Sequence, residues 1–152
     1  MKKDVHIYSA IRNREDRSRT EDLLVLDGFD VSSFSFASEL WERFRIRPAR
    51  FVITDRRFGE EMSGLDLARS IRKHHVLPYV YILMFSQLNS LSEIEEALLA
   101  GVDDYIIKPP NRFQIRSRVL VGLRWLSYVD SINPGVNASP VSVDLRSPDL
   151  AL

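Results

Sequence analysis

The sequence predicts an α/β domain in which five parallel strands form one sheet with helices on both faces, a three-layer sandwich. Two observations carry that expectation. Short apolar runs alternate five times with segments whose apolar residues recur at helical spacing. One of the runs, Val80 to Phe85, is apolar almost throughout, as a strand covered on both faces must be. The 152 residues have room for one such domain with a proper core, and hardly for a second.

The elements follow in order. Val5 to Tyr8 is short, apolar and β-branched, and reads as the first strand. Ile11 to Arg19 is dense in charge and is expected to include a loop, with a helix from about Asp16 to Asp27 that buries Leu23, Leu24 and Leu26 and stops at Gly28. Phe29 to Phe34 is the second strand. Ser38 is expected to cap a short helix carrying Leu40, Trp41 and Phe44, with Pro48 just beyond its end. Phe51-Val52-Ile53-Thr54 is a compact strand that ends on Asp55. Leu65, Leu67, Ala68 and Ile71 then follow helical spacing, and Pro78 precedes the fourth strand. Ser90 or Ser92 starts a helix with Ile94, Ala97 and Leu98 that stops at Gly101. Tyr105-Ile106-Ile107 is the fifth strand, closed by Lys108-Pro109-Pro110. Phe113 to Val129 is the longest helix, with Ile115, Val119, Leu123 and Leu126 on one stripe. The domain is expected over 1–131. Residues 132–152, broken by Pro134-Gly135, Pro140 and Pro148, read as a tail or the start of a linker. The alternation in Val141-Ser142-Val143-Asp144-Leu145 would suit an added edge strand.

Composition narrows the function. Lysine plus arginine and aspartate plus glutamate both number 21, which gives no electrostatic reason to expect nucleic acid or an anionic membrane as partner. With no cysteine, disulfides, thiolate catalysis and cysteine-based zinc sites are excluded. Met1-Lys2-Lys3-Asp4-Val5 lacks the apolar core of a signal peptide and no run approaches a membrane span, so a cytoplasmic place is expected. His6 reads as a packing residue, and His74 and His75 as the exposed, dipole-favoured end of a basic helix.

In open parallel sheets functional groups gather where strands deliver their C-terminal ends. Those ends are Ser9-Ala10, Asp55, Ser86 and Lys108. Thr54-Asp55, Met62-Ser63-Gly64-Leu65, Met84-Phe85-Ser86 and Asp104-Tyr105-Ile106-Ile107-Lys108-Pro109 stand in the order and nearly the spacing of the landmarks of response-regulator receiver domains. Over residues 4 to about 130 the chain resembles that family, which implies a flavodoxin-like (βα)5 fold in a two-component or phosphorelay pathway. The resemblance implies that Asp55 is the phosphoacceptor and that Ser86 and Lys108 hold the phosphoryl group. It implies that Tyr105 follows the hydroxyl of Ser86 as a switch, and that the bond before Pro109 is cis. A flavin-binding alternative needs a glycine- and hydroxyl-rich phosphate loop after the first strand. Ser9-Ala10-Ile11-Arg12-Asn13-Arg14 is not one.

The chain departs from the family at the metal. Two adjacent acidic residues are implied at the end of the first strand, and Ser9-Ala10 stand there instead. Magnesium asks for several oxygen ligands, usually with more than one carboxylate, so Asp55 alone is expected to hold it poorly and no cofactor is expected. A first loop about two residues longer than usual leaves Glu15 or Asp16 as a replacement ligand. Arg57, in a loop lacking the family's proline, is expected to reach Asp55 as a substitute cation. The expected function is therefore an atypical receiver, a docking module rather than an enzyme. The alternative is a conventional receiver phosphorylated on Asp55 by a histidine kinase, with magnesium. Expected partners are a histidine kinase or another signalling protein, or a second copy through the fourth and fifth helices. Tyr105, Leu120 and Trp125 are the large side chains left for that surface.

Overall fold

In the computed structural model, which describes residues 4–76, 78–87 and 90–135, every predicted apolar run forms a strand. The order is β1 (His6–Ala10), α1 (Arg14–Leu26), β2 (Asp30–Phe34), α2 (Ala37–Ile46), β3 (Phe51–Asp55), α3 (Gly64–His74), β4 (Tyr81–Ser86), α4 (Leu91–Leu99), β5 (Asp104–Ile107) and α5 (Arg112–Ile132). The strands pair in parallel in the order β2-β1-β3-β4-β5. The direction of winding reverses between β1 and β3, so their C-terminal ends flank a crevice that no crossover covers.

Alternation along the central strands divides the core into two layers. Val52, Ile82 and Met84 face Leu40 and Phe44 of α2, Leu67 and Ile71 of α3, and Ala97 of α4. Phe51, Ile53, Leu83 and Phe85 face Leu24 of α1 and the α5 stripe Ile115, Val119, Leu123 and Leu126. Among the described residues no helix is long and apolar enough to cross a membrane.

Several local expectations are corrected. Helix α1 starts at Arg14, because the Asn13 side chain accepts the Asp16 N–H while Glu15 and Asp16 suit the positive end of the helix. Its buried residues are Thr20 and Leu24, one turn apart, and Leu26 points outward at 82% exposure. Ser38 does not cap α2, which begins one residue earlier after Phe36 with no side-chain cap. Ser90 does cap α4, yet of its three expected core residues only Ala97 is fully buried, and Leu98 is half exposed. His6 lies on the exposed side of β1 and bonds Ser32. Helix α5 runs three residues past Val129 to Ile132, started by a reciprocal cap between Asn111 and Gln114. The proposed edge strand at Val141 to Leu145, and the tail from residue 136, lie outside the described residues.

A polar knot fastens the far end of the sheet. Asp103 accepts the Ile82 N–H at 2.8 Å, an Arg72 N–H at 2.9 Å and the Tyr79 hydroxyl. Arg72 also donates to the carbonyls of Gly101 and Val80 and lies 4.6 Å over the Tyr79 ring. Burial raises the Asp103 carboxyl above its ordinary range, and burial with the adjoining Asp103 does the same to Tyr79. Burial, then the charges of Asp104 and Asp103, push the Tyr81 hydroxyl from its ordinary 10.0 up to about 12. The unfolded chain therefore loses the Tyr81 proton first. Its contribution to stability is intact below pH 10 and disappears as pH rises toward 12. Urea unfolding at successive pH values is expected to show stability falling across that window, and falling less steeply in Tyr81→Phe. Identical slopes would show that the hydroxyl is already hydrated in the fold.

Candidate functional site

Three strand ends converge on the crevice, and backbone bonds continue the sheet one step past them. The Arg56 N–H donates to the Phe85 carbonyl at 3.0 Å, and the Lys108 N–H donates to the Ser86 carbonyl at 2.7 Å. The Lys108–Pro109 peptide is cis, as the resemblance implied. These bonds hold Asp55, Ser86 and Lys108 around one cleft of about 580 Å³, lined also by Arg12, Asn13, Arg56, Arg57, Phe85 and Gln87.

Asp55 is 2% exposed and engaged through both carboxylate oxygens. Lys108 Nζ lies 2.7 Å from Oδ1, and the Arg12 backbone N–H donates to Oδ2 at 2.8 Å. The lysine contact is ionic rather than an aligned hydrogen bond, so the charge on Lys108 does the holding. Removing both charges from water is tolerable only with such pairing. Ser86 is buried at the end of β4, and Gln87 beside it is exposed. Tyr105 is half-buried and packs against the α2–α3–α4 layer rather than into the cleft.

Ser9 and Ala10 do not reach the cleft. Ser9 is fully buried and bonds Ser33 at 3.4 Å, while Ala10 lies in the core beside Thr54 in register. The chain stays in sheet-like pairing one residue further, with the Ile11 N–H donating to the Phe34 carbonyl. The residues that meet Asp55 from this side are thus Arg12 and Asn13. Only Ile11, Arg12 and Asn13 separate β1 from α1, so the long first loop expected from sequence does not exist. Glu15 and Asp16 sit in the first turn of α1 and do not line the cleft.

Arg57 is not the substitute cation for Asp55 either. It is largely exposed, and its closest carboxylate oxygen is Glu93 Oε2 at 3.9 Å. Its neighbour Arg56, which sequence reasoning passed over, is the buried one. Arg56 donates to the Glu93 carbonyl at 2.8 Å and to Glu96 Oε1 at 2.7 Å, tying α4 to the end of β3. The one side-chain signal for it in the sequence is Glu96 on the facing helix, because the Glu93 contact is made through its backbone carbonyl.

The donor set does not fit magnesium. Asp55 is the only carboxylate among the described residues that line the cleft, and Arg12, Arg56, Arg57 and Lys108 surround it. Among the described residues no three or more His, Cys, Asp or Glu gather as metal ligands. A hard divalent ion would meet repulsion where it needs anionic oxygen.

Of the expected partner-surface residues, Leu120 is half-buried against the α1–α5 layer and is not left over. Trp125 is 43% exposed, edge-on to Tyr79 and tilted against Tyr128, which is also exposed.

The family model for the response regulator receiver domain matches residues 13–120. Chemotaxis protein CheY1 of Helicobacter pylori (strain J99) is 31% identical over 96 residues, 61% of this chain and 77% of that protein. Transcriptional regulatory protein ZraR of Escherichia coli O157:H7 is 26% identical over 121 residues, 80% of this chain and 27% of that longer protein. Among solved structures, chemotaxis protein CheY4 of Vibrio cholerae superposes with a TM-score of 0.72 at 16% identity, covering 77% of this chain and 97% of that one. The BeF3-activated DrrB receiver domain gives 0.71 at 19% identity, covering 82% and 99%. At such identities the superpositions speak for the fold alone.

Proposed function

The chain belongs to the response-regulator receiver family and is a receiver domain of a two-component system; from that premise we propose that it is an atypical receiver, a cytoplasmic docking module that works without magnesium-dependent phosphorylation of Asp55. One observation carries the reading. The positions around Asp55 hold arginine where a metal would need carboxylate, and Asp55 already spends both oxygens on Lys108 and the Arg12 amide. A phosphoacceptor must present a free oxygen for in-line attack while another cation screens the incoming charge. Here the screening charges are fixed side chains, and the attacking oxygens are occupied.

The conventional reading, phosphorylation of Asp55 by a histidine kinase, draws on the joint presence of Asp55, Ser86 and Lys108 beside a cis Lys108–Pro109 bond. Magnesium and acetyl phosphate separate the two. We expect no magnesium-induced amide shifts around Asp55 at millimolar concentration, and no acyl phosphate by mass spectrometry. Saturating shifts together with an Asp55 adduct that Asp55→Asn abolishes would restore the conventional switch.

A module that signals in its resting state needs a preformed protein-binding surface, and Trp125 with Tyr128 on α5 is the one we assign. Both are large aromatics of the kind that anchor protein interfaces. In a complementation assay with pull-down or sedimentation, Asp55→Asn is expected to keep activity while Trp125→Ala loses partner binding or self-association with its circular dichroism intact. Association untouched by Trp125→Ala would place the surface elsewhere.

A further inference from the structure

We propose that the cleft binds a phosphate group non-covalently and without metal, held by the guanidinium groups of Arg12 and Arg57. The inference rests on the reading above that this site works without magnesium. Its starting point is the charge left over after the internal pairs are counted. Asp55 is matched by Lys108 at 2.7 Å, and Arg56 is matched by Glu96 at 2.7 Å. Arg12 makes no ion pair among the described residues, and Arg57 has only the 3.9 Å approach to Glu93. Glu60 and Glu61 are exposed on the same loop but do not line the cleft. The lining therefore carries one positive charge with no ion pair among the described residues, Arg12, and a second, Arg57, held only by the long approach to Glu93, and together they suit a phosphate group.

Arg12 is also placed rather than loose. Its backbone is fixed by the bond to Asp55, and Arg17 donates to the carbonyls of Ile11 and Arg12 from one turn along. Its guanidinium lies across Gly59, where a Cβ would stand 3.0 Å from Nη1. Gly59 has φ +69, the left-handed region that glycine enters without strain, and so leaves the cradle open for the arginine. The planar fork of donors on arginine suits tetrahedral oxyanions better than a lysine point charge would. The α1 N-terminus opens on the same cleft beside Asn13, adding a favourable dipole. No bond forms to Asp55, whose carboxylate stays paired with Lys108.

A cleft of about 580 Å³ has the size of a small-molecule site, so the phosphate could arrive free or carried on a nucleotide. Inorganic phosphate and ADP are therefore titrated separately, in EDTA and at constant ionic strength, with calorimetry and amide NMR as readouts. We expect saturable binding of at least one of them, with shifts at Arg12, Asn13, Arg57 and Ser86. Binding of phosphate alone assigns the free anion, and much tighter binding of ADP assigns the nucleotide. Arg12→Gln and Arg57→Gln should each weaken it roughly ten-fold, the scale of one charge-assisted hydrogen bond. Asp55→Asn, which removes a negative charge from the wall, should bind at least as tightly. Non-saturating responses equal to those of sodium chloride, or binding unchanged in the double arginine variant, would overturn the proposal. If neither anion binds and no magnesium-dependent adduct forms on Asp55, this proposal falls while the atypical reading stands. Binding that requires magnesium and is lost in Asp55→Asn would overturn both.

Discussion

Lys108→Met is expected to lower the unfolding free energy by roughly 3–5 kcal/mol, the usual result of removing one member of a buried ion pair. The two partners are unequally placed, and the asymmetry sharpens the prediction. The Asp55 side chain is 3% exposed and that of Lys108 is 17% exposed. Methionine at 108 preserves most of the stem volume but leaves a buried carboxylate with a single donor, the Arg12 amide. Asp55→Asn instead leaves an ammonium group that can lean toward water, and its amide oxygen can still accept the Arg12 N–H. The loss in Asp55→Asn should therefore be clearly smaller. Urea melts of the two single variants and the double variant measure the pair directly, because the coupling is the departure from additivity. Equal and negligible losses would show that the groups are hydrated and uncoupled.

The same pair shows what could be read from sequence. Asp55, Ser86 and Lys108 were legible because each closes an apolar strand, and a parallel sheet delivers such residues to one edge by topology alone. The end of β1 was not legible. Ile11 continues the strand through its bond to Phe34, a pairing between residues 23 apart that nothing local announces. The dense charge that follows looked like loop, although Asn13 makes it the first turn of a helix. The wall of the site accordingly lies at Arg12-Asn13, three residues beyond the expected Ser9-Ala10, and that offset hid the cationic character of the cleft. Arg56 was missed for a related reason. A buried arginine is tolerable only with partners, and its partners arrive from α4, 37 and 40 residues later. Leu26 was a failure of periodicity, since it stands two residues from the buried Leu24 and so on the opposite side of the helix.

Gly64→Ala is expected to destabilise the fold by about 3 kcal/mol and to disturb the Asp55 site at the same time. Gly64 opens α3 behind the Ser63 cap, and its N–H donates to the Arg56 carbonyl at 2.9 Å, which folds the loop back onto the end of β3. A Cβ there would stand 2.0 Å from the Asp55 carbonyl oxygen and 3.0 Å from Met84 Cε. The first of these is backbone, and no rotamer change can relieve it. Either α3 lifts off the sheet or the end of β3 moves, and Asp55 travels with its own carbonyl. Gly122 gives the scale for comparison. A Cβ at Gly122 would meet the rings of Phe51 and Tyr81 at 2.5 to 2.7 Å, and rings can shift where a strand cannot. Gly122→Ala should therefore cost less and leave the Asp55–Lys108 contact in place, lying as it does at the other end of β3. The physical role of the Met62-Ser63-Gly64-Leu65 landmark is then a spacing one: serine starts the helix, and glycine lets it start against the strand that carries Asp55. Urea denaturation gives the stability of each variant, and amide shifts around Asp55 and Lys108 report the site. A Gly64→Ala protein within about 0.5 kcal/mol of the parent, with those shifts unmoved, would mean that the loop has slack enough to absorb a methyl group.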